Sequence, residues 1–132
     1  MVRHLDELVN FANVAPAVNQ IELHPFLQQR DVVERCRALG IAVEAYSPLT
    51  KGHLLGHAEI EAVARAAGRT PAQVLLRWSL QRGFVVLPKS VHAQRIAENF
   101  QALDFELGLD FMARLDALEQ GRRTAWDPSA VP

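Results

Sequence analysis

FVVLPKSVHAQRIAEN, residues 84–99, decides how the chain is read. Residues 84–87 form a short apolar run, and Pro88, which has no N–H to give a sheet, stops it. A cationic corner follows at Lys89 and Ser90. A helix then opens near His92 and carries Arg95, Glu98 and Asn99 at i+3 and i+4 spacing, on one face. A strand, a sharp corner and a helix start make an anion site in α/β folds, because the first helical N–H groups are unpaired and the dipole favours negative charge. Lys89 and Arg95 can add two full charges there, which points to a pocket for a phosphate group. The same residues also suit an ordinary strand beside a solvated Lys and Arg, and taken alone they do not choose between the two.

Upstream, the segments alternate. Leu5, Leu8, Val9 and Ala12 give residues 2–14 a helical period that ends at Pro16. Residues 17–23, AVNQIEL, read as a strand closed by His24-Pro25. Residues 27–39 read as a helix, with Val32, Val33, Cys36 and Leu39 on its apolar side and Gly40 as its stop. Residues 41–46, IAVEAY, form the next strand, closed by Ser47-Pro48. After a loop with Gly52 and Gly56, residues 59–67 form a helix ending at Gly68. Thr70 then caps another, with Pro71 in its first turn, that runs to about Arg82 and stops at Gly83. Residues 110–120 form a last helix, and residues 122–132 an irregular tail.

Strands separated by helices imply a parallel sheet, with chemistry at the C-terminal strand ends. No Gly-x-Gly-x-x-Gly follows a strand, so the Rossmann fingerprint is absent. Alternation sorts the faces. Ile21 and Leu23, then Ile41, Val43 and Ala45, then Phe84 and Val86 form the side that helices should cover. Val18, Gln20 and Glu22, then Ala42, Glu44 and Tyr46, then Val85, Leu87 and Lys89 form the other. Glu22 and Glu44, if buried there, need partners. Within these strands only Lys89, at the far end, offers a positive charge.

Composition narrows the class. The 132 residues are 49% apolar and 22% charged, which is globular. A net charge of -1 gives no electrostatic case for nucleic acid. No run is apolar and long enough to span a membrane, and MVRHLDEL lacks a secretory core. The single cysteine, Cys36, excludes an internal disulfide and offers no zinc cluster, and it reads as a buried structural thiol. A reducing, cytoplasmic setting is expected. His24 reads as structural, and His4, His53, His57 and His92 as solvent-facing. Trp78 is expected in the core.

Three motifs in order, VNQIELHP (residues 18–25), AYSPL (45–49) and LPKS with Arg95, Glu98 and Asn99, resemble the aldo-keto reductases. The opening VRHLDEL and the helix TPAQVLLRW are similar to that family too, so the resemblance covers nearly the whole chain. It implies the C-terminal part, about three βα units, of a TIM (β/α)8 barrel: residues 1–121 as the partial barrel and 122–132 as its tail. It implies NADPH as cofactor and a small-molecule aldehyde or ketone as substrate of the parent protein. By the same resemblance Gln20 bonds the nicotinamide carboxamide and Tyr46 stacks on the nicotinamide. Ser47 and Leu49 meet the pyrophosphate side, Lys89, Ser90 and Arg95 clamp the 2′-phosphate, and Glu98 and Asn99 meet the adenine. Tyr46 can instead fill a barrel end, and Gln20 can instead satisfy a neighbouring group. Tails in this family shape the substrate pocket, and RRTAWDP resembles the bacterial branch that reduces sugar ketones and small carbonyls.

A whole barrel takes about 250 residues. The family's catalytic Asp, Tyr, Lys and His have no counterparts here: Tyr46 is the one tyrosine, and Lys51 and Lys89 are the lysines. The resemblance therefore makes this the cofactor-binding portion of the parent protein, and the chain by itself is not expected to turn over substrate. A non-catalytic nucleotide-binding or regulatory module is the alternative. Two open sheet edges would also allow self-association.

Overall fold

In a computed structural model, which describes residues 1–131, the three strands form one parallel sheet in the order β1-β2-β3. The elements are α1 (Val2–Phe11), β1 (Val18–Glu22), α2 (Arg30–Ala38), β2 (Ala42–Tyr46), α3 (Ala58–Ala67), α4 (Pro71–Gln81), β3 (Val85–Val86), α5 (Ala93–Phe100) and α6 (Leu109–Asp116). Register pairs Gln20 with Glu44, Glu22 with Tyr46, and Ala45 with Val86. All three strand ends therefore reach one rim. This is the parallel sheet that the alternation of strands and helices implies, and it is consistent with the partial α/β barrel that the resemblance implies. Pro132, the last residue of the expected tail, lies outside the described residues.

The two sheet faces separate as alternation requires. Leu23, Ile41, Val43, Ala45 and Phe84 are buried with Val32, Val33 and Cys36 of α2, Ile60 and Val63 of α3, and Val74, Leu75 and Trp78 of α4. Trp78 is 1% exposed, and its indole donates to Asp116 at 2.8 Å. Cys36 is buried and accepts from the Asn19 amide at 3.3 Å, a structural thiol. On the other face Val18, Val85 and Leu87 are exposed. Beside β3, Ile96, Phe100 and Leu103 are exposed too.

Local signals set most boundaries. Thr70 accepts from Gln73 N and Gln73 returns a bond to Thr70 N, a complete capping box, with Pro71 opening α4. Gly68 ends α3 at φ 63, where a side chain would be strained. Other boundaries are shorter than the sequence suggests. α1 stops at Phe11, since Ala12 is already extended. α2 starts at Arg30, not residue 27, because Leu27 is drawn into an antiparallel bridge with His24 and Gln29 is left-handed at φ 42. β3 has two residues because Pro88 ends donation after Leu87 N bonds Ala45 O. α6 ends at Asp116, whose carbonyl is taken by the Gln28 amide at 2.8 Å.

Candidate functional site

β2 and β3 both end in proline-bearing corners, at Ser47-Pro48 and Pro88-Lys89, and α5 rises from the second corner. Between them lies a groove of about 850 Å³. Ser47 and Leu49 line it from the first corner, Lys89 and Ser90 from the second, and Arg95, Glu98 and Asn99 from α5. These residues are separated by up to fifty-two positions, yet they face one space. Gln20 and Tyr46 do not line the groove. They stand on the open sheet face, on β1 and at the end of β2, two register rows apart.

The groove is positive. Lys89, Arg95 and Lys51 line it, and among the described residues none forms an ion pair with a carboxylate. Lys51 is an addition that the sequence pattern missed. It lies in the loop after β2, where Ser47, Thr50 and Lys51 all have φ near +50°, a conformation that side chains rarely adopt. Strain of about 1–3 kcal/mol per such residue persists only where the surroundings enforce it. Here Thr50 N bonds Ser47 O, Gly52 N bonds Leu49 O, and Leu54 N bonds Thr50 Oγ1. The left-handed turn brings Lys51 into the groove wall, and no local sequence signal announces it.

α5 is held in place from α4. Thr70 Oγ1 donates to Glu98 at 2.5 Å, and the Gln73 amide donates to Glu98 O and to Gln101. The capping box of α4 thus also fixes the helix that carries Arg95. Thr70→Ala is expected to cost about 1 kcal/mol of stability through the lost cap. It should also loosen α5, read as faster amide exchange at residues 96–99 than in α3. Uniform loosening of both helices would count against this link.

Gln20 donates its amide to Glu44 at 3.0 Å, which answers the need of that carboxylate. Glu22, buried at 1% exposure, is not answered by Lys89 as the strand pattern allowed. Its partners come from the tail and from His24. Burial opposes its ionisation, but bonds from the Thr124 side chain and backbone and from His24 hold the carboxyl below the usual range. His24 is buried too. Its Nε2 faces the carboxylate at 3.1 Å and so carries the hydrogen, while Nδ1 has no partner among the described residues. Burial pushes its pKa down, against the pull of Glu22. His57 is half-buried rather than solvent-facing. It packs edge-on to Phe26 with ring centroids 5.0 Å apart, and its Nδ1 caps α3. His4 is also partly buried, while His53 and His92 are exposed.

The pair makes the fold acid-sensitive in a stated order. The unfolded chain takes up a His24 proton below about pH 6.5 that the folded chain resists, so stability falls from there. Glu22, depressed in the fold, gives stability above about pH 4.3 that is lost as pH falls further. The melting temperature should therefore drop between pH 7.5 and 5.5, and less steeply in His24→Gln. A flat profile in the parent chain would contradict this account.

Tyr46 is half-buried, and burial, then the charge of Glu22, raises its hydroxyl pKa while Arg123 lowers it. No lysine contributes to that balance. Among the described residues no cluster of His, Cys, Asp and Glu could hold a metal, and no helix is long and apolar enough to cross a membrane.

A small parallel sheet thus carries a groove lined by Lys51, Lys89 and Arg95 at the C-terminal ends of its strands, an arrangement consistent with part of an α/β barrel. The aldo/keto reductase family model matches residues 1–120, and the chain belongs to that family. An aldo-keto reductase of Mycobacterium sp. (strain KMS) is 50% identical over 125 residues, 95% of this chain and 45% of the relative. Glyoxal reductase of Bacillus subtilis (strain 168) is 42% identical over 130 residues, 98% of this chain and 47% of the relative. Among solved structures, a mutant of Gox0644 in complex with NADPH matches with a TM-score of 0.91 and 40% identity. That match covers 98% of this chain and 48% of that one. The chain spans about half the length of the curated relatives it matches.

Proposed function

We propose that the groove takes the phosphate-bearing end of NADPH, and that this chain is the cofactor-binding portion of a reductase of aldehydes and ketones. One observation carries the reading. Seven residues from three separate segments line a single groove whose cations, among the described residues, form no ion pair with a carboxylate. Three cations, Lys51, Lys89 and Arg95, against one carboxylate, Glu98, facing one cavity suit a phosphorylated ligand. The NADPH complex of the Gox0644 mutant, a structural relative at 40% identity, supports the same ligand.

In this reading Lys89, Ser90 and Arg95 hold the 2′-phosphate. Glu98 and Asn99 flank the adenine, with Glu98 already oriented by Thr70. Ser47 and Leu49, with Lys51 beside them, border the pyrophosphate. Tyr46 offers its ring to the nicotinamide. One N–H of the Gln20 amide is given to Glu44, which leaves the Gln20 carbonyl oxygen and the second N–H for the carboxamide. When bound, NADPH supplies the hydride. Residues 1–121 form the partial barrel and residues 122–132 its tail, and a reducing cytoplasm is the setting.

A second reading, a nucleotide-binding or regulatory module without turnover, has one observation in its favour. Both lysines, Lys51 and Lys89, line the groove, and neither acts on Tyr46. A fluorescence titration with NADPH and NADH tests the shared claim. NADPH should bind and NADH should bind more weakly. Equal affinity for the two would remove the 2′-phosphate clamp, and no binding would remove the groove's assignment.

A further inference from the structure

We infer that Glu22 is a positioning residue: its buried carboxylate pins residues 122–127 as a strap beside Tyr46 and so limits access to that ring. The strap begins where Gln120 N and Arg122 N both donate to Phe26 O, at 3.2 and 2.9 Å. It crosses the C-terminal end of β1. There Glu22 Oε1 accepts from Thr124 N at 2.7 Å and Thr124 Oγ1 at 2.6 Å, and Oε2 accepts from Ala125 N at 3.3 Å. Arg123 and Asp127 pair at 3.0 Å across this anchor. The far end is tied to α1, where Arg3 donates to Val131 O at 2.6 Å.

The chemistry of position 22 fits this and little else. The residue is 1% exposed at a strand end, a place where an apolar side chain would cost nothing in desolvation. Among the described residues Glu22 has no Lys or Arg partner. Four donors compensate its charge instead, three of them from a segment about a hundred positions away. A carboxylate so placed is satisfied only while the strap is seated. Sheet register sets Glu22 beside Tyr46, and Arg123 of the strap is near enough to act electrostatically on the Tyr46 hydroxyl. The strap is therefore next to the ring as well as next to the anchor. None of this depends on the cofactor assigned to the groove.

Amide hydrogen exchange on the whole chain tests the anchor. Thr124 and Ala125 amides should be protected in the parent protein. In Glu22→Gln, which keeps the size but loses one acceptor oxygen, their exchange should rise by about tenfold or more while amides 43–45 of β2 stay protected. Thr124→Val, which removes the hydroxyl and spares the core, should raise it as well, and Thr124→Ser should restore the parental rate. Thr124→Val settles the matter if Glu22→Gln does not fold. Tyr46 is the sole tyrosine, so its nitration by tetranitromethane, with each rate referred to the phenolate fraction titrated in that variant, reports access. Nitration should speed up several-fold in Thr124→Val and return to the parental rate in Thr124→Ser. Unprotected Thr124 and Ala125 amides in the parent would overturn the anchor. A Tyr46 nitration rate that ignores a released strap would overturn its shielding role.

Discussion

NADPH affinity is expected to fall about 100-fold when Lys89 and Arg95 are both replaced by alanine, with NADH affinity nearly unchanged. A hydrogen bond to a charged group contributes about 1.5–3 kcal/mol. Two would total about 3–6 kcal/mol, but both side chains are exposed and solvent screens them. The lower figure, about 3 kcal/mol, corresponds to about a 100-fold loss. The selectivity matters more than the size. If the two cations grip the 2′-phosphate, a cofactor without that group has nothing to lose. Lys51 serves as the control, because it enters from the β2 corner. Lys51→Ala should weaken both cofactors by similar factors. The NADPH advantage should also shrink as salt rises, since exposed charges are screened within about 10 Å at 0.1 M. Parallel losses for NADPH and NADH in the double variant would mean that the cations bind something common to both, and the clamp would be misassigned.

The groove was legible because its parts are written locally. A strand that stops at proline, a Lys-Ser corner and a helix with Arg95, Glu98 and Asn99 on one face can be read within sixteen residues. Thr70-Pro71 announced α4 for the same reason, since a cap and its partner sit three residues apart. What failed to show was long-range or conformational. Besides His24, Glu22 is bonded by Thr124 and Ala125, and nothing near position 22 names these two. Lys51 reaches the groove only because consecutive residues take left-handed backbone angles without glycine's permission. The start of α2 was misread because Leu27 continues an apolar period that the His24 bridge overrides. Apolar period counts which side chains seek burial, and Leu27 is indeed buried, but burial is not helicity.

Aldehyde reduction by this chain alone is expected to stay at the background rate, even with NADPH bound. Reduction of a carbonyl requires a proton at oxygen as well as hydride at carbon, and positioned acid catalysis contributes about 100- to 10,000-fold. The family resemblance assigns that task to a tyrosine whose pKa a nearby lysine depresses. Tyr46 is the one tyrosine available, and its surroundings act in the opposite sense. Burial and the Glu22 carboxylate raise its pKa, and the one opposing cation, Arg123, does not overcome them. A hydroxyl made less acidic than free tyrosine is a poor donor at neutral pH. Its place at the rim, in register with Glu22, suits a ring that stacks better than a hydroxyl that reacts. The measurement is loss of NADPH absorbance with a small aldehyde, run on the parent chain and on Tyr46→Phe. No aldehyde-dependent signal in either is the expected result. Turnover that Tyr46→Phe abolishes would make Tyr46 the acid after all. Turnover that survives the substitution would show that another group supplies the proton, and either outcome would overturn the expectation that this chain alone lacks the acid.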